Sequence, residues 1–90
     1  MYKVFGKINY KCIDGRRADS IENALINFKK LTNNSENIVI SVAELSNNVW
    51  YILSDQDLEI AKHLAECIFG NVKFVKYAPS SIRLLKKQSY

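Results

Sequence analysis

The stretch YKVFGKINYK, Tyr2 to Lys11, decides how the rest of the chain is read. Tyr2, Val4, Gly6, Ile8 and Tyr10 fall on one side of an extended backbone, and Lys3, Phe5, Lys7, Asn9 and Lys11 on the other. Period-two alternation of this length predicts one continuous β-strand. Burying three lysines without partners is prohibitively costly, so the side carrying Tyr2, Val4, Ile8 and Tyr10 is expected to pack inward. Lys3, Phe5, Lys7 and Lys11 are then expected on an open sheet face.

The segments that follow supply the partners of this strand. IDGRR is a turn signal, and in DSIENALINFKKLTNN the apolar residues Ile21, Ala24, Leu25, Phe28 and Leu31 recur at helical spacing. Asp19 with Glu22, or Ser20 alone, caps the start of that helix, and Asn33 and Asn34 end it by tolerating left-handed conformations. NIVISVAEL and VWYIL, joined by SNN, predict a hairpin. SDQDLEIAKHLAECIFGN predicts a second helix, with Ser54 and Asp57 in capping spacing, Leu58, Ala61, Leu64, Ala65 and Ile68 on one face, and Gly70 as its stop. NVKFVKYA is a last strand closed by Pro79, with Val72 and Phe74 expected inward and Lys73 and Tyr77 outward.

The predicted order is strand, helix, strand, strand, helix, strand. Right-handed crossovers and a tight central hairpin favour a single-domain, ferredoxin-like α+β fold, βαββαβ, over residues 1–79. Its four-stranded antiparallel sheet has the order 4-1-3-2, with both helices on one face. Residues 80–90 are expected to form a basic C-terminal helix, capped by Ser80 or Ser81, or a tail. In that order the last strand lies beside the first and sets Lys73 or Lys76 next to Lys3, Lys7 and Lys11.

At 90 residues, 48% of them hydrophobic and 24% charged, the chain has room for one core and lies outside the disordered class. No apolar run approaches the roughly 18 residues of a membrane span, and the N-terminal residues do not read as a secretory signal. Cys12 and Cys67 lack the spacing of a zinc site or a disulfide framework and are expected as reduced thiols, Cys67 in the core. A cytoplasmic protein without cofactor or metal is the expectation. Lysine, asparagine and isoleucine fill about a third of the chain, the signature of an A/T-rich genome such as a low-GC bacterium or its phages.

The net charge of +4 is unevenly spread. Residues 1–35 carry seven basic and three acidic side chains, residues 36–66 one and six, and residues 67–90 five and none. Basic ends around an acidic middle point to a polyanionic partner. Lysines interleaved with aromatics suit nucleic acid, because cations neutralise phosphates and bases stack on rings. The binding residues expected on this ground are Lys3, Phe5, Lys7, Lys11, Trp50, Lys73, Tyr77, Arg83, Lys86 and Lys87. On the third strand the outward set is either Trp50 and Ile52 or Val49, Tyr51 and Leu53, because a one-residue slip reverses the faces.

The hexamer Val4-Phe5-Gly6-Lys7-Ile8-Asn9 resembles the first-strand motif of RNA-recognition-motif domains, which implies a stacking role for Phe5. NNVWYILS, by contrast, lacks the glycines and leading base of the third-strand motif of those domains. Asp14 stands where small Cas2-like ferredoxin-fold nucleases place a metal-binding aspartate, which implies metal chemistry only in a specific homodimer. His63, with Lys62 beside it and no nucleophile at useful spacing, reads as structural.

The function expected is that of a non-enzymatic protein engaging nucleic acid, or the surface of a nucleic-acid-handling complex, through a basic and aromatic sheet face. The alternatives are a phage-type inhibitor of a host defence complex acting by protein–protein occlusion, and a homodimeric structural or Cas2-like nuclease protein.

Overall fold

The computed structural model describes residues 1–33, 35–79 and 82–86, and it breaks the opening stretch in two. Strand β1 runs Tyr2–Ile8 and strand β2 runs Lys11–Asp14, joined by the two-residue turn Asn9-Tyr10. Both turn residues have positive φ, 51° and 69°, the hallmark of the type I′ turn that matches the twist of paired strands. Ile8 pairs with Lys11 across the turn, and Lys7 with Cys12. Residues directly opposite one another share a face, so the turn moves Lys11 to the Ile8 side and brings Cys12 to the Lys7 side. Lys11 therefore does not join Lys3 and Lys7.

Helix α1 (Ile21–Lys29) and helix α2 (Asp55–Phe69) form where the apolar spacing predicts them. Ser20 Oγ accepts from the Asn23 backbone N–H at 3.1 Å, and Ser54 Oγ from that of Asp57 at 3.2 Å. Each hydroxyl satisfies one of the N–H groups that a helix start leaves unpaired. Asn33 takes a left-handed φ of 45° beyond α1, and Gly70, φ 76°, ends α2. Strand β3 (Ile38–Ser46) and strand β4 (Val49–Ile52) make the predicted hairpin around Asn47-Asn48, whose φ values of 52° and 62° suit asparagine.

Two-residue strands β5 (Lys73–Phe74) and β6 (Leu85–Lys86) complete a mixed sheet of order β2-β1-β3-β4-β6, with β5 beside β3. This is a compact α+β domain, but the 4-1-3-2 antiparallel order is not formed, and the reason lies in the opening stretch. That order needs both edges of the first strand for the third and fourth. Here β2 occupies one edge of β1, and β3 pairs antiparallel along the other, Tyr2 with Glu44 through Ile8 with Ile38. The last strand has no place beside the first. It shortens to β5 and pairs parallel with the far edge of β3, Val39 with Lys73 and Ile40 with Phe74, while β4 holds the other half of that edge. The segment expected as a C-terminal helix or tail is extended where described, β6 pairing parallel with β4. Asn34, Ser80, Ser81 and Lys87 lie outside the described residues.

Both helices cover the same face. Val4, Ile8, Ile40 and Val42 from the sheet meet Ile21, Ala24, Leu25 and Phe28 of α1 and Ala61 and Ala65 of α2 in one core, with Val72 and Phe74 packed against it as expected. Each fully buried large side chain there contributes about 1.5–3 kcal/mol. Gly6 lies on this face for want of space: a Cβ there would meet Phe28 Cζ at 2.7 Å and the Val39 carbonyl oxygen at 2.8 Å. The absent side chain lets the Phe28 ring and the backbone of β3 close on β1.

The opposite face is not open. Phe5, Ser41 and Ala43 are fully buried there and Ile52 nearly so, outside the helix-side core. The Val75 N–H donates to the Ile40 carbonyl, and the Pro79 carbonyl oxygen lies 3.1 Å from Cys12 Sγ. Residues 75–79 thus lead from β3 across to β2 on the side opposite the helices, and β6 stands at the other edge of the sheet.

Candidate functional site

Two groups of charged and aromatic side chains lie on the non-helical side. The first is built over the middle of the sheet. Phe5 and Trp50 pack edge to face, ring centroids 5.4 Å apart and planes at 90°. Lys3 Nζ sits 5.0 Å from the Phe5 centroid and 5.6 Å from that of Trp50, and Arg17 Cζ is 5.7 Å from the Trp50 ring. Lys3 also pairs with Asp14 Oδ2 at 3.5 Å. Leu45 opposite Trp50, and Ala43 opposite Ile52, place Trp50 and Ile52 on this face, which settles the β4 register. Phe5 has no ring face free to stack on a base, and Lys3 is spent on two rings and a carboxylate. The stacking role implied by the RNA-recognition-motif resemblance does not hold for Phe5. The side assigned to Phe5 stands, but the face is covered.

The second group lies at the end of the sheet, where β1 finishes, β3 begins and β5 begins. Lys7 pairs with Val39 across one strand boundary and Lys73 pairs with Val39 across the next. The two lysines therefore flank one valine on three adjacent strands and share its face. They line a cleft of about 360 Å³ together with Tyr10, Asn37 and Asn71 and the apolar Ile38, Val39 and Val72. Lys7 and Lys73 were expected to be direct neighbours on adjacent strands, and β3 stands between them instead. The juxtaposition survives through a different topology.

Tyr10 is the residue that the alternation misplaced. It was expected under the helices, yet it sits in the β1–β2 turn with 81% of its surface exposed. Its φ of 69° is a conformation that a bulky side chain takes only at a cost of about 1–2 kcal/mol. The second position of such a turn is ordinarily glycine or asparagine, as the Asn47-Asn48 turn of the same sheet illustrates. An aromatic after asparagine at a strand end, Asn9-Tyr10, was the signal in the sequence. Asn37, also with positive φ at 57°, and Asn71 carried no such signal, because asparagine before a strand reads as turn chemistry.

The other expected binding residues are dispersed. Lys11 is exposed on the Ile8 side of the hairpin, and Tyr77, 61% exposed, follows β5 instead of lying on a strand with Lys73. Arg83 and Lys86 are exposed, Lys86 on β6 beside β4 and thus across the sheet from β1. Cys67 is exposed, not in the core, because it falls on the outer side of α2, 3.8 Å from His63 Nε2. Among the described residues no three His, Cys, Asp or Glu side chains gather in a group able to hold a metal ion, and no helix is long and apolar enough to cross a membrane. No family model matches this chain, and no curated protein or solved structure is similar enough to match it.

Proposed function

We propose that this is a non-enzymatic cytoplasmic binding protein that engages nucleic acid through the cleft at the end of its sheet. The observation that carries the reading is the Lys7–Val39–Lys73 row with the exposed Tyr10 ring beside it. Two cations on one face, on the strands either side of β3, offer charge to a phosphodiester backbone, and an uncovered aromatic offers a sequence-tolerant stacking surface. The exposed acids Asp55, Glu59 and Glu66 lie on α2 and none of them lines the cleft, whose charged lining residues are both lysines, so the cleft itself attracts a polyanion. Asp14, the candidate of the nuclease alternative, lies within a hairpin strand with its carboxylate engaged by Lys3, which favours binding over chemistry.

A single-stranded oligonucleotide of mixed sequence is expected to bind with slight sequence preference. Two or three phosphate contacts give a slope of log affinity against log salt of about −2. Fluorescence anisotropy across a salt series measures it. No binding at low ionic strength sinks this reading.

The protein-occlusion alternative has one observation of its own: a half-buried tryptophan with Arg17 beside its ring pairs two of the residue types enriched in protein–protein hot spots. On that reading Trp50→Ala abolishes capture of a protein partner, affinity persists in moderate salt, and Lys7 and Lys73 are dispensable.

A further inference from the structure

We infer that the end-of-sheet cleft seats one unpaired nucleotide, its base stacked on Tyr10 and its phosphate between Lys7 and Lys73. This rests on the nucleic-acid reading above and narrows it to a chemical unit: a flat heterocycle joined to a phosphate, either within a single strand or as a free nucleotide.

Three independent features converge on that unit. The cleft, about 360 Å³, is near the lower end of the roughly 300–1,000 Å³ range of small-molecule pockets, so it has room for one ring-bearing monomer and none for a duplex. Its lining combines Lys7, Lys73, Asn37 and Asn71 with the apolar Ile38, Val39 and Val72; the lysines suit a phosphate, an amide offers both a donor and an acceptor to the edge of a base, and the apolar residues suit a flat ring. The third feature is the conformation of Tyr10. The turn would form more readily with glycine at that position, and burial does not account for tyrosine, because the ring is 81% exposed. A strained, solvent-facing aromatic at the mouth of a basic cleft is explained by a ligand that uses its face. A paired base is already stacked within its duplex and presents no face to Tyr10, so single strands are selected over double ones.

The strain makes a test in which stability and binding move in opposite directions. Tyr10→Gly relieves the positive φ, and its melting temperature is expected to rise by a few degrees. Its affinity for a twelve-residue single-stranded oligonucleotide is expected to fall about 10- to 100-fold. Tyr10→Phe keeps the ring and is expected to bind like the parent. In a second arm, adenosine monophosphate is titrated against the labelled protein. It is expected to shift the backbone amides of Lys7, Tyr10, Val39 and Lys73, while inorganic phosphate shifts Lys7 and Lys73 and leaves Tyr10 still.

If Tyr10→Gly binds the oligonucleotide as tightly as the parent, the nucleotide seat is overturned and the broader nucleic-acid reading stands. If the oligonucleotide fails to bind at low salt but adenosine monophosphate moves the cleft amides, the broader reading falls, and the seat survives as a site for a free nucleotide. Should adenosine monophosphate shift amides elsewhere, or none, the seat is overturned.

Discussion

Phe5→Ala is expected to destabilise the domain by about 3–5 kcal/mol, the cost of removing a fully buried aromatic side chain. In a domain of this size each kcal/mol lowers the melting temperature by roughly 4–8 °C, so the variant should melt at least about 12 °C below the parent. The ring touches Trp50 edge to face and lies beneath Lys3, and neither contact survives truncation. Phe5→Leu keeps most of the buried volume and should lose less than half as much. Urea denaturation with an unchanged slope checks both values. A loss under about 1 kcal/mol would mean that Phe5 faces solvent and that the non-helical side is open, as the strand pattern alone suggests.

Gly6→Ala is expected to cost about 2–3 kcal/mol, at the upper end of overpacking effects. The new methyl group meets a ring edge and a backbone carbonyl oxygen at once, and the carbonyl belongs to β3, which its neighbours on both edges hold in place. Part of the cost should be recoverable. In a Phe28→Leu background the ring no longer opposes the methyl group, so Gly6→Ala should be less damaging there than in the parent, a coupling that a double-mutant cycle resolves. A cost below about 0.5 kcal/mol in the parent would contradict the close packing of α1 on β1.

The sequence made the helices legible because two independent signals agreed on each: a capping serine and an apolar stripe of the right period. Ser54 with Gly70 delimits α2 almost to the residue. The hairpin at Asn47-Asn48 was equally readable, since asparagine is at home in left-handed turns. Asn9-Tyr10 makes the same turn with a residue that does not suit it, and alternation runs through the turn without a break. Alternation alone therefore predicts a straight strand, and the unannounced turn changes the sheet order, the side of Lys11 and the position of Tyr10.

The covering of Phe5 was illegible for another reason. It depends on Trp50 of β4 and on Lys3 packing against the Phe5 ring, and the Trp50 contact joins distant parts of the chain that no local pattern announces. Of the binding residues expected, Lys7 and Lys73 flank Val39 on one face and Lys3, Phe5 and Trp50 form a packed cluster, while the exposed ring that lines the cleft is Tyr10.

The central claim, that Lys7 and Lys73 hold phosphate, is tested most directly by comparing two double charge reversals in oligonucleotide binding. Lys7→Glu/Lys73→Glu changes the cleft, and Lys62→Glu/Lys86→Glu makes the same change in net charge at exposed positions on α2 and β6. The cleft variant is expected to lose at least about tenfold in affinity for a single-stranded twelve-residue oligonucleotide, and its salt slope to flatten by about 0.7, the contribution of the one phosphate the two lysines share. The control variant should stay within about threefold of the parent, with its slope unchanged. Equal losses in the two variants would mean that net charge alone governs binding and that the cleft is not the site.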